Sequence, residues 1–172
     1  MATERGFVLD DGRPRCFEGR VPADWCGPDG MVKPLATVVG ITNGAGRWFE
    51  FVDLGETHRS VRKFGMFALD THTAIALDFD LRNGEAYRIN SQLMGFDAKR
   101  LIHLQVLRRL DSDRPLVSMA FVAINVDSVA RKVAPFPPEA IARLTEVYAA
   151  HAKLAPIWYV PGPIAPLVPP AT

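Results

Sequence analysis

The longest regular pattern in the chain is an alternation of apolar and polar positions from Gly65 to Asp127. A period of two is typical of β-strands, because successive side chains lie on opposite faces of a sheet. Turn residues divide the stretch into four segments, so the sequence predicts four consecutive strands. The last segment, Leu116 to Val126, is almost wholly apolar, and we expect it to be covered on both faces. Asn83-Gly84 between the first two segments predicts a hairpin turn there.

The segment before these strands has helical spacing. From Pro34 to Leu54 apolar residues recur every three or four positions, which predicts one long helix that begins at Pro34 and is capped by Gly55. Each glycine inside a helix costs about 1 kcal/mol relative to alanine. Such glycines indicate that something, for example a wrapping sheet, packs very close to the helix backbone. Two shorter helices with a kink at Asn43-Gly44 are the alternative. The glycines in question are Gly40, Gly44 and Gly46.

Both ends of the chain add elements to this core. Phe7–Leu9 and Cys16–Val21 predict short strands on either side of a turn. A second helix is expected after Pro135, and from Pro156 onward six prolines in seventeen residues predict an extended tail. We therefore expect one domain over residues 1–155 and a Pro-rich tail over 156–172.

Composition narrows the class of protein. The 172 residues are 48% apolar and 23% charged, with a net charge of +1, which gives no electrostatic reason to expect nucleic acid or an anionic membrane as partner. No apolar run approaches the roughly 20 residues of a membrane helix, and the polar N-terminus lacks a signal core. Cys16 and Cys26 are then expected to be reduced thiols of a cytoplasmic protein. We find no motif for a metal or a cofactor.

Several short phrases between Val21 and Pro137 resemble the hotdog-fold acyl-CoA thioesterases, particularly the group related to 4-hydroxybenzoyl-CoA and betainyl-CoA thioesterases. The resemblance implies an α+β fold in which an antiparallel sheet wraps around a long central helix. It also implies a homodimer, or a tetramer, that shares its sites across a sheet edge. The phrases are Asp24-Trp25 and Gly30 before the helix, Ala45-Gly46 within it, Asp70-Thr71-His72, Gly84-Glu85, Asp97-Ala98-Lys99-Arg100-Leu101-Ile102-His103, Asn125-Val126-Asp127 and Pro135-Phe136-Pro137.

The resemblance breaks at the family's catalytic motif, which is Asp followed by Asn-Gly-His-Met-Asn just before the helix. The family uses that Asp as nucleophile or general base. Here Gly27 stands in its place, Asp29 in the place of the Asn and Met31 in the place of the His. A slip of two residues would put Asp29 in the catalytic place. The family machinery is therefore either displaced or absent.

Thioester hydrolysis needs a nucleophile or base, donors for the developing oxyanion and a slot for the acyl group. A helix N-terminus supplies unpaired amides and partial positive charge, so Gly30 and Met31 are candidate substrate contacts and Asp29 is a candidate catalytic carboxylate. Asp29 could equally be a plain cap or turn residue.

Four further candidates have structural alternatives. Asp70 and His72 lie two apart on a strand and could act together as acid and base, or form a polar pair on a sheet face or dimer seam. Asn43 could contact substrate or mark a helix kink. Lys99 and Arg100, with His103 behind them, could meet the phosphates of coenzyme A or lie on a solvated strand edge.

The resemblance implies hydrolysis of an acyl-CoA thioester to free acid and CoA. Two alternatives remain open. A hotdog protein that only binds acyl-CoA would explain the missing Asp, and a hotdog dehydratase of hydroxyacyl thioesters could use Asp70 with His72. A fold by itself does not imply hydrolysis.

Overall fold

The computed structural model describes residues 2–55, 64–75 and 79–155. Within these ranges lie eight strands, three α-helices and two short 3-10 helices at Ala23–Trp25 and Thr42–Gly44. The strands are β1 (Ala2–Glu4), β2 (Phe7–Asp10), β3 (Arg13–Arg20), β4 (Phe64–Ile75), β5 (Ala86–Phe96), β6 (Arg100–Arg109), β7 (Pro115–Asp127) and β8 (Lys132–Val133). The helices are α1 (Pro34–Ile41), α2 (Ala45–Phe51) and α3 (Pro138–His151). The charged connector before β4 and the Pro-rich tail lie outside the described residues.

The strands form one antiparallel sheet in the order β1-β2-β3-β5-β6-β7-β4, with β8 paired to β7. The four predicted consecutive strands are confirmed as β4 to β7, and β7 is almost continuously buried, as its apolar run predicts. The predicted hairpin at Asn83-Gly84 is wrong, because β4 pairs with β7 and β5 pairs with β3 and β6. The Asn-Gly turn instead bonds the loops before α1: the Asn83 amide donates to Gly30 and the Gly84 amide to Val21.

Strand β4 lies at one edge of the sheet. It pairs with β7 from Phe64 opposite Asp127 to Ile75 opposite Val117, and no described strand pairs with its other edge. The register shifts by one residue between Ala68 and Asp70, which is a β-bulge. A long edge strand with unpaired main-chain groups is a template for pairing with another chain.

The central helix is broken once. Residues on both sides of the Thr42–Gly44 turn keep right-handed helical dihedrals, so α1 and α2 follow one path, and the structure lies between the two predictions for this segment. Gly55 does not cap the helix, which ends at Phe51. The left-handed residue after it is Asp53, with φ of 60°, and the Leu54 amide closes the turn on Phe49.

Two of the three helix glycines do lie against other parts of the chain. A Cβ on Gly40 would lie 2.2 Å from the indole of Trp25, and a Cβ on Gly44 would lie 2.8 Å from Ile89 on the sheet. Around Gly46 nothing lies within 4 Å of such a Cβ. The inference of close packing is therefore confirmed at two positions, although an indole rather than the sheet meets Gly40.

The core lies between the sheet and the helices, in two main clusters of buried apolar side chains. One surrounds Trp48 and Phe51 of α2 and includes Leu144 and Val147 of α3. The other lies beneath α1, around Ile41. Together they hold the helical path across the sheet, with the N-terminus of α1 near the end of the sheet where β5 begins. Leu104, Val106 and Ala120 form a third, separate cluster.

Candidate active site at the start of the central helix

The loop before α1 is a tight turn. Cys26 and Val32 form an isolated antiparallel bridge, the Gly27 amide donates to the Met31 oxygen over 2.8 Å, and the Gly30 amide donates to the Gly27 oxygen over 3.0 Å. Gly30 has a φ of 75°, which favours glycine at that position. Main-chain hydrogen bonds therefore hold this loop in a defined turn directly before the start of α1.

An open depression lies between this loop and the helix N-terminus, with a volume of ≈ 700 Å³. The helix begins with Pro34, and its cap residue Lys33 makes no side-chain hydrogen bond to it. The partial positive charge of the first turn is thus not offset by a capping side chain. The depression is lined by Gly27, Pro28, Asp29, Met31, Val32, Lys33, Pro34 and Phe79.

Asp29 is the carboxylate of this depression. Its Oδ1 accepts a hydrogen bond from the Met31 amide over 3.0 Å, which is the turn role that the sequence left open. The same Oδ1 lies 3.0 Å from the point where a Cβ on Gly27 would stand. The carboxylate of Asp29 therefore lies next to Gly27, the position to which the sequence resemblance assigns the family's catalytic side chain.

Asp70 and His72 belong to the edge strand β4, where the register pairs them with Val122 and Ala120. Asp29 lies in the loop before α1. This loop contacts the sheet through Met31, which forms an isolated antiparallel β-bridge with Arg82 just before β5. Ile75, opposite Val117, marks the end of β4 that lies nearer this loop. The three predicted catalytic residues thus come from a loop and a separate strand, and their joint role stays a prediction.

Asn43 lies within the 3-10 break and is exposed. Its side chain hydrogen-bonds the hydroxyl of Tyr87. Burial raises the pKa of Tyr87, and this hydrogen bond acts in the opposite direction. Asn43 is separated from the helix start by more than two turns, so the structure does not bring it into the depression lined by Asp29.

Lys99 and Arg100 lie at the far end of the sheet. Tyr87 pairs with Arg109 near the depression, whereas Arg100 pairs with Ile124 at the other end of β6, about 30 Å away for ten strand residues. Arg100 makes a bidentate ion pair with Asp97, whose pKa is below its ordinary value because bonds from Lys99 and Arg100 outweigh the effect of burial.

His103 is not part of a basic surface. It is buried, and its ring packs against Phe121 at 4.8 Å and Trp48 at 5.8 Å between ring centroids. The interpretation of His103 as a phosphate contact is therefore wrong, because its position on β6 faces the helix. Alternation alone could not tell which face of β6 lies beneath the helix.

Comparison with known proteins decides the family. A model described as the thioesterase-like superfamily matches residues 33–144, well over half of the chain. The chain belongs to this superfamily. No curated protein matches the sequence significantly.

Solved structures confirm the hotdog fold of this thioesterase-like protein. A hypothetical protein from Staphylococcus aureus, solved in complex with CoA, has a TM-score of 0.72 and 14% identity, with 84% of this chain and 88% of that chain covered. A candidate thioesterase from Pseudomonas putida KT2440 has a TM-score of 0.72 and 19% identity, covering 89% and 96%. A 1,4-dihydroxy-2-naphthoyl-CoA thioesterase from Synechocystis has a TM-score of 0.62 and 15% identity, covering 76% and 95%. At such identities these likenesses show the fold alone.

Lys33, which lines the depression of this thioesterase-like site, lies within the region from Gly30 to Lys33 that the sequence predicts as the oxyanion site. Sequence reasoning missed Phe79, because it belongs to the segment before β5 and only the tertiary structure brings it to the helix start. Among the described residues no three His, Cys, Asp or Glu side chains are grouped closely enough to hold a metal ion. None of the described helices combines the length and apolarity needed to cross a membrane.

Proposed function

We propose that the protein hydrolyses an acyl-CoA thioester at the N-terminus of α1, with Asp29 as the catalytic carboxylate. The observation that carries this proposal is the position of Asp29 Oδ1, 3.0 Å from where a Cβ on Gly27 would stand. The loop returns a carboxylate to the neighbourhood of the position that the family occupies with Asp. The superfamily membership supports thioester chemistry in general.

The proposed reaction takes place at the depression in two steps, attack by water and cleavage of the C–S bond. Asp29 removes a proton from a water molecule as its oxygen attacks the thioester carbonyl carbon, and the start of α1 stabilises the oxyanion. The C–S bond then breaks and the proton passes to the CoA sulfur, which gives free acid and CoA. In an alternative route the Asp29 carboxylate itself attacks the thioester, which releases CoA and forms a mixed anhydride with the acyl group. Water then hydrolyses this anhydride, so the products are again free acid and CoA.

We further propose that the active unit is a homodimer paired through the edge of β4 that no described strand occupies. An antiparallel pairing of two β4 strands would place the Phe64 end of one copy beside the Ile75 end of the other. Lys99 and Arg100 lie at the Phe64 end, since Asn125 bonds Lys99 and Phe64 pairs with Asp127. Pairing would therefore bring these cations towards the other copy's depression, where they could bind CoA phosphates.

The edge pairing also gives Asp70 and His72 a role to test, because it would place them at the seam. Gly30 and Met31 would contact the substrate from the loop, whereas the predicted contact from Asn43 would lie outside the depression. The cytoplasmic location stays a prediction.

The test is thiol release from short, branched, aromatic and long acyl-CoAs. We expect Asp29→Asn to lose at least a hundredfold in kcat/KM, while the exposed neighbour Asp24→Asn, a matched control, keeps wild-type activity. The double variant Gly27→Asp/Asp29→Asn, which returns the carboxylate to the family position, should recover activity. The same assay on variants of Asp70, His72 and Lys99 would show whether the two seam residues affect hydrolysis and whether Lys99 contributes to CoA binding.

The departure at Gly27 also favours a second candidate, an acyl-CoA-binding protein without turnover. Folded wild-type protein that binds acyl-CoA and releases no thiol from any substrate would rule out the hydrolase and support the binder. A change in enoyl absorbance without thiol release would instead support the dehydratase built on Asp70 and His72.

A further inference from the structure

One face of the sheet points away from the helices. On β6 the side chain of Gln105 bonds the central helix, so its neighbours Leu104 and Val106 point to the opposite face. Ala120 and Ser118 of β7 pair directly with these two residues and therefore share that face. We call Leu104, Val106, Ser118 and Ala120 the outer patch. It lies in the middle of the sheet, between β5 and β4.

The outer patch is almost completely buried. Val106 is 0% exposed, Leu104 is 1% exposed, and the two β7 residues are at most 4% exposed. The helices place their apolar side chains in the two clusters on the other face, and Met94 is the one further apolar residue of the described chain that packs against the patch. On a sheet face that nothing covers, side chains keep part of their surface in water. Burial this complete requires a second layer over the patch.

The composition of the chain indicates which segment forms this layer. The structure is that of a single chain, so the layer belongs to the same chain as the patch. Residues 56–63 carry four charges and one apolar residue, which does not suit an apolar surface. Residues 76–78 are only three residues long and are held between β4 and Phe79. The Pro-rich tail over 156–172 is the segment with the length and the apolar character to cover the patch.

The described chain also ends beside the patch. Arg13 donates from one terminal nitrogen to the Ala155 oxygen and from Nε to the side-chain oxygen of Gln92 over 2.8 Å. Gln92 donates to the His151 oxygen over 3.2 Å, which holds the end of α3 at the same place. Because Gln92 pairs with Leu104, the tail begins next to the patch and on the same side of the sheet.

The tail has the composition of a buried segment. It contains no charged residue, whereas segments that stay disordered in water combine low hydrophobicity with high net charge. Its six prolines lack main-chain donors and favour an extended polyproline II conformation over a further strand of the sheet. At about 3.1 Å per residue, seventeen residues span about 50 Å, which exceeds the roughly 14 Å from β5 to β4. Its large apolar residues are Ile157, Trp158, Tyr159, Val160, Ile164, Leu167 and Val168.

We propose that the Pro-rich tail packs across the outer patch of its own chain and forms the second layer of this face. In polyproline II every third side chain lies on the same side. This spacing brings Trp158, Ile164 and Leu167 to one side, whereas Gly162 and Ala165 fall on another. The side with the larger apolar surface faces the patch. The tail then belongs to the folded unit, and the contact does not depend on the proposed catalytic activity.

The test places a thiol in the patch of the full-length chain. Ser118 suits this purpose because its Oγ has no hydrogen-bond partner in the described part of the chain and a thiol is of similar size. In a Cys26→Ser background, Ser118→Cys should react with a thiol reagent at least a hundredfold more slowly than Cys26 of the wild type. Adding Leu167→Asp should raise that rate at least tenfold, whereas the matched control Ala165→Asp should change it less than twofold.

Two further measurements keep the result specific. Cys16 lies in the cluster beneath the helices and should stay unlabelled in every variant, which mass spectrometry of the labelled peptides checks. Ala120→Cys reports on the same patch from a second position. Fast labelling with the native tail, or slow labelling that Ile164→Asp and Leu167→Asp together leave unchanged, would overturn the proposal. A labelling rate that falls as the protein concentration rises would assign the cover to a second copy and would overturn it too.

Discussion

The side-chain nitrogen of Gln105 donates a hydrogen bond to the main-chain oxygen of Ile41 over 2.6 Å, and the Gln105 side-chain oxygen accepts one from the Ala45 amide over 2.9 Å. In an uninterrupted α-helix, Ile41 and Ala45 would bond each other. A fully buried amide on β6 thus takes the place of one helix bond, at the position of the 3-10 turn. Insertion of a side chain into the helix ladder is a known cause of such breaks.

Replacing Gln105 should therefore destabilise the fold. Gln105→Met removes both bonds, and we expect a loss of about 1–3 kcal/mol in the free energy of unfolding. Gln105→Glu should cost more at pH 8, because a buried carboxylate would face the Ile41 oxygen, and its difference from wild type should shrink at pH 5 as the carboxyl regains a proton. Urea unfolding at both pH values measures this. An unchanged Gln105→Met stability would mean that Ile41 and Ala45 simply re-form the helix bond.

Gly40 should not tolerate alanine, although alanine is the better helix former. Its Cβ would stand 2.2 Å from the ring of Trp25, a distance that forces a shift of the indole. We expect Gly40→Ala to destabilise the protein by about 1–3 kcal/mol, the usual cost of overpacking.

A double-mutant cycle tests the cause. In a Trp25→Leu background the clash is removed, so Gly40→Ala should become neutral or stabilising. An additive cycle, with the same cost in both backgrounds, would contradict the contact between Gly40 and Trp25.

Two buried histidines should make the protein unstable in acid. Burial lowers the pKa of His103 to about 3, and burial together with the charges of Arg13 and Arg143 lowers the pKa of His151 to about 4. The unfolded chain, with histidine pKa values near 6.5, then binds more protons than the folded one. Stability should be complete above about pH 6.5 and fall by up to about 1.4 kcal/mol per histidine for each pH unit below it.

Thermal unfolding between pH 4.5 and 7.5 measures this slope. His103→Phe, which keeps a ring among the rings of Trp48, Phe49 and Phe121, should remove about half of it. His151→Phe would also lose the bond that Nδ1 accepts from the Leu93 amide over 2.9 Å, so its loss of stability should extend to neutral pH. A slope unchanged in His103→Phe would exclude His103 as the source.

The two cysteines should differ sharply in reactivity. Both are free thiols, as predicted, but Cys16 is buried and Cys26 is half-buried. Burial raises the pKa of the Cys16 thiol to about 12, which leaves almost no thiolate at neutral pH. A thiol reagent should label one cysteine rapidly in native protein and two in urea, and Cys26→Ser should abolish the rapid phase. Rapid labelling of the Cys26→Ser variant would show that Cys16 opens to solvent.

Much of the architecture follows from local pattern, and the errors have a common origin. The periods of two and of three to four residues indicate β4 to β7 and the helix from Pro34, because each element must bury one side. The predicted hairpin at Asn83-Gly84 is wrong because turn chemistry predicts a turn but not which strands pair on either side of it. The predicted phosphate contact of His103 is wrong because both faces of β6 are buried, and no local pattern shows which face lies beneath the helix.

By itself the sequence determined the α+β class, the resemblance to thioesterases and the altered residue at Gly27, since these depend on the order of residues along the chain. Only the tertiary structure decided that Gln105 breaks the helix at Ile41 and that Lys99 lies at the far end of the sheet from Asp29. Both are distances between segments remote in sequence. Such distances are set by strand order and register, which arise from packing the whole core at once and leave little trace in any single segment.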